Sequence, residues 1–336
     1  MPEGSLFLWT GSGVEVFVVG AEHGDPAEAG SHVFDVSPDG SRLLVNDAGA
    51  LVSVEVSTGE RLVLVRPEPP DELQALAGWG PDGTLVAFSV GSQDPANRST
   101  LCLVSVPPDE PQCYPEAGGV YTFAWSSDGS SLVIAGPPAE PLRLLDVGAG
   151  VVTNAVSQQG DTPINRALRE AGLGYTFQLV APMWSPSGRY LAALANLEDS
   201  RFTYVPVVFT QAGEVAALGQ PSTEFPEPMA WSPAGDHLAY TRGQGPYNIR
   251  EVRLLDPQAN EDRLLMALEE VDPGPPPDQP IPAITDLAWS PSGRWLAVGV
   301  WEGMEDMRII DPWGGEPARR LTGGWETWRS IVGWVA

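Results

Sequence analysis

Residues 287–300 read L-A-W-S-P-S-G-R-W-L-A-V-G-V. The pattern is strand, tight turn, strand. An apolar run ends in Trp289, the chain reverses over Ser290, Pro291, Ser292 and Gly293, and a second apolar run starts at Trp295. Proline presets φ at the second position of a turn, and glycine takes the positive φ that other residues resist. The stretch recurs along the chain. It returns as S-P-D-G after Val36, G-P-D-G after Trp79, S-S-D-G after Trp125, S-P-S-G after Trp184 and S-P-A-G after Trp231. Including Trp289, the steps between copies are 43, 46, 59, 47 and 58 residues.

A hydrophobic strand follows each turn, at 42–45, 85–90, 132–135, 190–195, 238–241 and 295–300. Two more strands usually come next, most clearly 51–56 and 61–65 on either side of S-T-G-E. Glycine-containing turns between alternating apolar runs mark hairpins. Four antiparallel strands in about 43–47 residues is the period of a propeller blade.

The two ends complete the pattern. Trp334 lies 45 residues after Trp289, in a first strand that lacks its turn. Near the N-terminus, P-E-G-S-L at 2–6 matches the P-D-G-S-R-L at 38–43, with strands expected at 14–19 and 26–30. The C-terminus would supply the inner strand of a blade and the N-terminus its outer three, which removes two exposed sheet edges. The expected fold is all-β: one domain over 1–336, a seven-bladed β-propeller of four-stranded antiparallel blades with a composite last blade. Six blades is the alternative.

The W-S-P-x-G-x-x-L-A pattern, the strand M-R-I-I-D at 307–311 and the G-G-E-P turn at 314–317 resemble the WD-repeat-like blades of TolB-type β-propellers. The resemblance runs over essentially the whole chain. It implies the fold and says little of function, because that family includes scaffolds, periplasmic assembly factors and propellers attached to enzymes.

Composition narrows the partners. The 336 residues carry 18 basic side chains, all arginine, against 44 acidic ones, a net charge of −26. That balance opposes nucleic acid and anionic membranes, which need a basic footprint. It fits a solvated acidic surface. With no long apolar run, no direct membrane insertion is expected. The first residues lack the features of a signal peptide, so either the protein stays inside or a leader lies outside this chain. Cys102 and Cys113 flank Pro107 and Pro108 and would face each other across a hairpin. A disulfide and two free thiols both remain open. A disulfide would imply an oxidising, extracytoplasmic compartment, periplasmic or secreted.

Two repeats are long. Within 161–172, Thr162 can cap, Pro163 suits the first helical position and Gly172 suits the stop, so a short helix is expected. Residues 272–282, D-P-G-P-P-P-D-Q-P-I-P, form a stiff extended loop. Both insertions join an outer strand to the next inner strand. They therefore share a face with the second-to-third strand loops at 91–99, 198–201, 243–247 and 301–306. Function usually sits on such loops.

Catalytic and metal motifs are sparse. There is no G-x-S-x-G, no H-E-x-x-H and no phosphate-binding G-x-x-x-x-G-K-[ST], and the histidines are His23, His32 and His237. Residues 35–40 resemble the start of a calcium loop, but its twelfth position is Asn46, and a hairpin turn explains the stretch. No cofactor or metal is expected. The repeated tryptophans are assigned to the wedges between blades.

Two constellations remain. Four residues before each aligned position, at the loop-face mouth of the channel, stand His32, Ala75, Tyr121, Val180, Glu227, Thr285 and Ser330, with Gln74, Asp286 and Arg329 beside them. Of these, His32, Gln74, Tyr121, Glu227, Asp286 and Arg329 are candidate ligand-binding residues, set against a mouth that holds only water. Trp301, Trp325 and Trp328 form a candidate aromatic rim, set against simple packing under the closing connection. The expected function is a non-enzymatic, monomeric binding or scaffold propeller that takes a protein, peptide or glycan on its loop face. The alternatives are a lyase or hydrolase using Glu227, Asp286, His32 or Arg329, and the propeller domain of a larger exported protein.

Overall fold

The repeated turn is built by its serine. Ser290 donates its backbone N–H to the Trp295 carbonyl at 2.8 Å, and its hydroxyl accepts the Trp295 N–H at 3.0 Å. Ser37 with Arg42, Ser126 with Ser131, Ser185 with Tyr190 and Ser232 with His237 repeat both bonds. The side chain thus satisfies a backbone donor that the turn would leave orphaned. The closing glycine must adopt positive φ, and Gly40, Gly83, Gly129, Gly188 and Gly293 lie at 69 to 72°. Aspartate at the third turn position accepts from the next serine or threonine. Bonds from Ser37 and Ser41 hold the Asp39 carboxyl down to about 2, and bonds from Ser126 and Ser130 do the same for Asp128.

The computed structural model describes residues 5–9, 14–18, 25–27, 32–69, 71–92, 99–198, 203–223, 228–233, 235–243, 249–268, 283–301, 305–314, 318–325 and 330–335. In chain order the strands are β1 (Ser5–Trp9), β2 (Val14–Val18) and β3 (Asp25–Ala27), then β4 (His32–Val36), β5 (Arg42–Asp47), β6 (Ala50–Glu55) and β7 (Arg61–Val65). Next come β8 (Asp71–Trp79), β9 (Leu85–Ser92), β10 (Thr100–Ser105) and β11 (Gln112–Tyr114), then β12 (Thr122–Trp125), β13 (Ser131–Ala135), β14 (Leu142–Asp146) and β15 (Val151–Val156). The helix α1 (Pro163–Glu170) precedes β16 (Thr176–Trp184), β17 (Tyr190–Leu197), β18 (Tyr204–Thr210) and β19 (Val215–Leu218). The chain ends with β20 (Met229–Trp231), β21 (Leu238–Gly243), β22 (Ile249–Asp256), β23 (Glu261–Ala267), β24 (Ala283–Trp289), β25 (Leu296–Trp301), β26 (Glu305–Ile310), β27 (Arg319–Trp325) and β28 (Ser330–Val335).

The described residues form seven four-stranded antiparallel sheets. Blades one to six start at β4, β8, β12, β16, β20 and β24, each sheet being four consecutive strands. The seventh has the order β28-β1-β2-β3. Its register, Ser5 against Val335 and Leu6 against Trp334, joins the two ends as the spacing predicts. Leu6 and Leu8 are fully buried and pack with Trp295 and Trp334. A Cβ at Gly40 would come 2.6 Å from Val335 Cγ2, so the first turn sits directly against the closing strand. The fold is the seven-bladed arrangement and not the six-bladed alternative.

The aligned tryptophans do fill the wedges. Trp79, Trp231, Trp289 and Trp334 are buried, Trp125 and Trp184 are half-buried, and the indoles of Trp125, Trp231 and Trp289 also bond across a blade boundary. Trp125 Nε1 donates to Gly78 O at 3.3 Å, Trp231 Nε1 to Met183 O at 3.2 Å and Trp289 Nε1 to Ala230 O at 3.0 Å. In each bond the acceptor is the residue just before the aligned tryptophan of the preceding blade. One side chain therefore supplies apolar area and satisfies a carbonyl on the next sheet.

In the second blade Cys102 stands opposite Cys113, and the two form a disulfide. No helix among the described residues is long and apolar enough to cross a membrane.

Candidate functional site

Inner strands run from the loop face to the Ser-Pro-x-Gly turns, so their first residues ring the loop-face mouth. On blades three and four this mouth is aromatic. Tyr121, next to β12, is 51% exposed, and Tyr175 and Phe177, at the start of β16, are 45% and 44% exposed. Burial of large apolar side chains is favourable, so three exposed rings at the starts of neighbouring inner strands make this region a candidate contact surface.

The helix insertion backs this patch. Thr162 caps α1 by accepting from the Asn165 N–H, Pro163 takes the first turn, and Ile164 and Leu168 are fully buried in the core of blades three and four. Asn165 fastens the helix to β16. Its amide donates to Gln158 O at 3.0 Å and Gly160 O at 2.9 Å, and its Oδ1 accepts the Thr176 N–H at 2.9 Å. Arg169 bonds Asp161 at 2.6 Å and also reaches Tyr175, lying 5.4 Å from its ring centroid with a 3.3 Å bond to the phenol. Tyr175 is exposed yet held.

A recess of about 380 Å³ opens among the inner strands of blades one to three. Its wall includes His32, Phe34 and Asp35 from β4, Gly78 and Trp79 from β8, and Phe123 from β12. Asp35 Oδ1 accepts the Val36 N–H at 2.8 Å, and Oδ2 crosses to the next blade to accept the Trp79 N–H at 2.9 Å. Burial pushes the carboxyl up to about 6, although both backbone bonds pull the other way. Gly78 leaves room there: a Cβ would come 3.6 Å from Asp35 Oδ2 and 3.7 Å from Phe123 Cε2. The His32 ring meets Phe34 edge-on, with centroids 5.1 Å apart. Trp79 Nε1 is buried without the carbonyl bond made by Trp125, Trp231 and Trp289, and finds no partner among the described residues.

Of the sequence-derived candidates, His32 lines the recess and Tyr121 belongs to the aromatic patch. Gln74 turns back to its own blade and donates to Gly91 O at 3.1 Å. Asp286 is half-buried on β24, where a Cβ at Gly299 would lie 3.1 Å from its own Cβ. Glu227, Arg329 and Trp328 lie outside the described residues, as does the 272–282 loop. Trp301 is half-buried at the end of β25, and Trp325 closes β27. The calcium-like stretch separates its acids: Asp35 bonds into the second blade, while Asp39 closes its own turn through Ser41 at 3.0 Å.

Asp35, Tyr175 and Phe177 were missed as site residues. Asp35 had a signal. The position before the aligned residue is Asp35, Gly78, Ala124, Met183, Ala230, Ala288 and Gly333, so one charge breaks a series of small or apolar residues. Tyr175 and Phe177 had none, because an extra residue bulges β16 between Thr176 and Gln178 and shifts the strand start.

Comparison with known proteins agrees with this architecture. Residues 279–309 match the family "WD domain, G-beta repeat" (WD40). No curated protein matches the sequence. Among solved structures, an oligogalacturonate lyase in complex with manganese superposes with a TM-score of 0.60 at 11% identity, over 91% of this chain and 81% of that one. A chain of the mitotic checkpoint complex gives 0.56 at 12%, over 88% and 81%. TolB from Acinetobacter baumannii gives 0.53 at 11%, over 98% of this chain and 66% of that one. At these identities the likeness is one of fold. The chain is a seven-bladed β-propeller, and its residues 279–309 resemble a WD40 repeat.

Proposed function

We propose that this propeller is a non-enzymatic binding or scaffold module that works as one unit and takes a protein or peptide partner on its loop face. The observation that carries the reading is the set of Tyr121, Tyr175 and Phe177, left exposed at the starts of neighbouring inner strands while α1 holds one of its members. Rigid, partly exposed aromatics anchor interfaces because they bury large area at small entropic cost. The WD40 match and the checkpoint-complex likeness support a role in assembly. A net charge of −26 also favours a basic or apolar partner over an acidic one.

A photo-crosslinking residue at Tyr121 or Phe177 should trap a discrete partner in extracts of the source cells. The same residue at Val151, exposed on an outer strand, should not. A Tyr121→Ser, Phe177→Ser double variant that keeps the same partner with unchanged affinity would reject this surface.

A further inference from the structure

The recess among the inner strands of blades one to three is lined by none of the rings of Tyr121, Tyr175 and Phe177, and it has its own chemistry. Its lining carries one carboxylate, Asp35, and no arginine among the described residues, and the chain has no lysine at all. Among the described residues, that carboxylate's partners are the backbone N–H groups of Val36 and Trp79. Those bonds use one lone pair on each oxygen and bring no positive charge. Around it stand the rings of Phe34, Trp79, Phe123 and Trp125. At about 380 Å³ the space admits a side chain or a small molecule.

The occupant follows by elimination. An anion would meet Asp35 and the net charge of −26. A neutral ligand would complete the burial of the half-buried Asp35 carboxylate without compensating its charge. A hard divalent ion needs several oxygen ligands, and no group of three acidic, histidine or cysteine side chains forms such a cluster among the described residues. An organic cation answers both features: its charge meets the carboxylate, and its face or methylene groups meet the rings.

We infer that this recess is a binding site for an ammonium or guanidinium group, with Asp35 as counter-ion and Phe34, Phe123 and Trp125 as walls. The group belongs either to a free small amine or to a lysine or arginine side chain of a docked peptide. The site goes beyond the loop-face reading and is tested without any macromolecular partner.

The test is calorimetric titration of the purified protein at pH 7.5 with agmatine and phenethylammonium as free amines. N-acetylated, C-amidated Gly-Arg-Gly and Gly-Lys-Gly serve as chain-borne cations, with Gly-Gln-Gly capped in the same way as the neutral control. At least one cation should bind saturably and Gly-Gln-Gly should not; the stronger arm names the source. Asp35→Asn should abolish binding, and Phe123→Leu should weaken it several-fold while keeping the carboxylate. Asp82→Asn, on the opposite face, should change nothing. At pH 5 a carboxyl titrating near 6 is about one-tenth ionised, so affinity should fall about tenfold. His32 is the other titratable group in the lining, on the same strand as Asp35, and β8 and β12 present none there. The pH effect should therefore persist in His32→Gln. Saturable binding that survives Asp35→Asn, equal binding of Gly-Gln-Gly, or no saturable binding of any cation would overturn the site. Each of these results leaves the loop-face reading standing.

Discussion

Replacing Asp35 with asparagine should change how stability depends on pH. Burial lifts this carboxyl from 3.8 to about 6 in the folded protein. Between those values the folded state holds a proton that the unfolded state has released, so stability is full below the unfolded value and falls as pH rises through the folded one. The shift corresponds to about 3 kcal/mol lost between pH 3.5 and pH 7.5 as an upper limit, and about half that where channel water reaches the carboxylate. Asparagine has nearly the same shape and no charge. It also swaps one acceptor oxygen for an amide, which costs the same at every pH and cancels when the pH values are compared. The quantity to measure is the stability difference between wild type and Asp35→Asn at pH 7.5, minus the same difference at pH 4. It should favour the variant by about 1.2–2.4 kcal/mol. Asp39, Asp82 and Asp128, held low by their turn bonds, tilt the whole curve the opposite way, but they tilt both proteins equally. Urea unfolding followed by tryptophan fluorescence at four pH values gives the number. A difference independent of pH would refute the account of Asp35 as a desolvated charge.

Other outcomes follow from the same contacts. Deleting residues 330–336 removes the strand that pairs β1 and exposes Leu6 and Leu8, so the melting temperature should fall sharply; an unchanged value by circular dichroism would refute ring closure. Trp289→Phe keeps the apolar wedge but leaves the Ala230 carbonyl without its donor, and chemical unfolding should show a loss of about 1–2 kcal/mol. Thiol titration of denatured protein should find no free cysteine before reduction and two after it, and Cys102→Ser should cost about 2–3 kcal/mol for a loop of this length.

The sequence by itself determined the blades. Each copy of the pattern carries its own turn chemistry, a positive-φ glycine with a serine hydroxyl, a presetting proline or both, and local chemistry of that kind needs no distant partner. It also gave the short helix, whose cap and stop are local, and the composite blade, because Trp334 falls in step with the repeat. The cysteine pair was legible only as far as facing positions; the strand register made it a bond.

The site was legible in fragments. His32 and Tyr121 were found by counting back from the aligned residue, and counting failed where β16 bulges. Tyr175 and Phe177 reach the surface because an extra residue offsets that strand, which no repeat spacing reveals. Asp35 could be marked as a break in a small-residue series, but its meaning came from outside its own blade. Its acceptor bond is to a backbone 44 residues away, and its neighbours come from two other sheets. Burial, and so the height of its titration, is a property of three blades packed together. Local sequence sets what one hairpin does with its own hydrogen bonds. The environment of a group between blades exists only once the ring has closed.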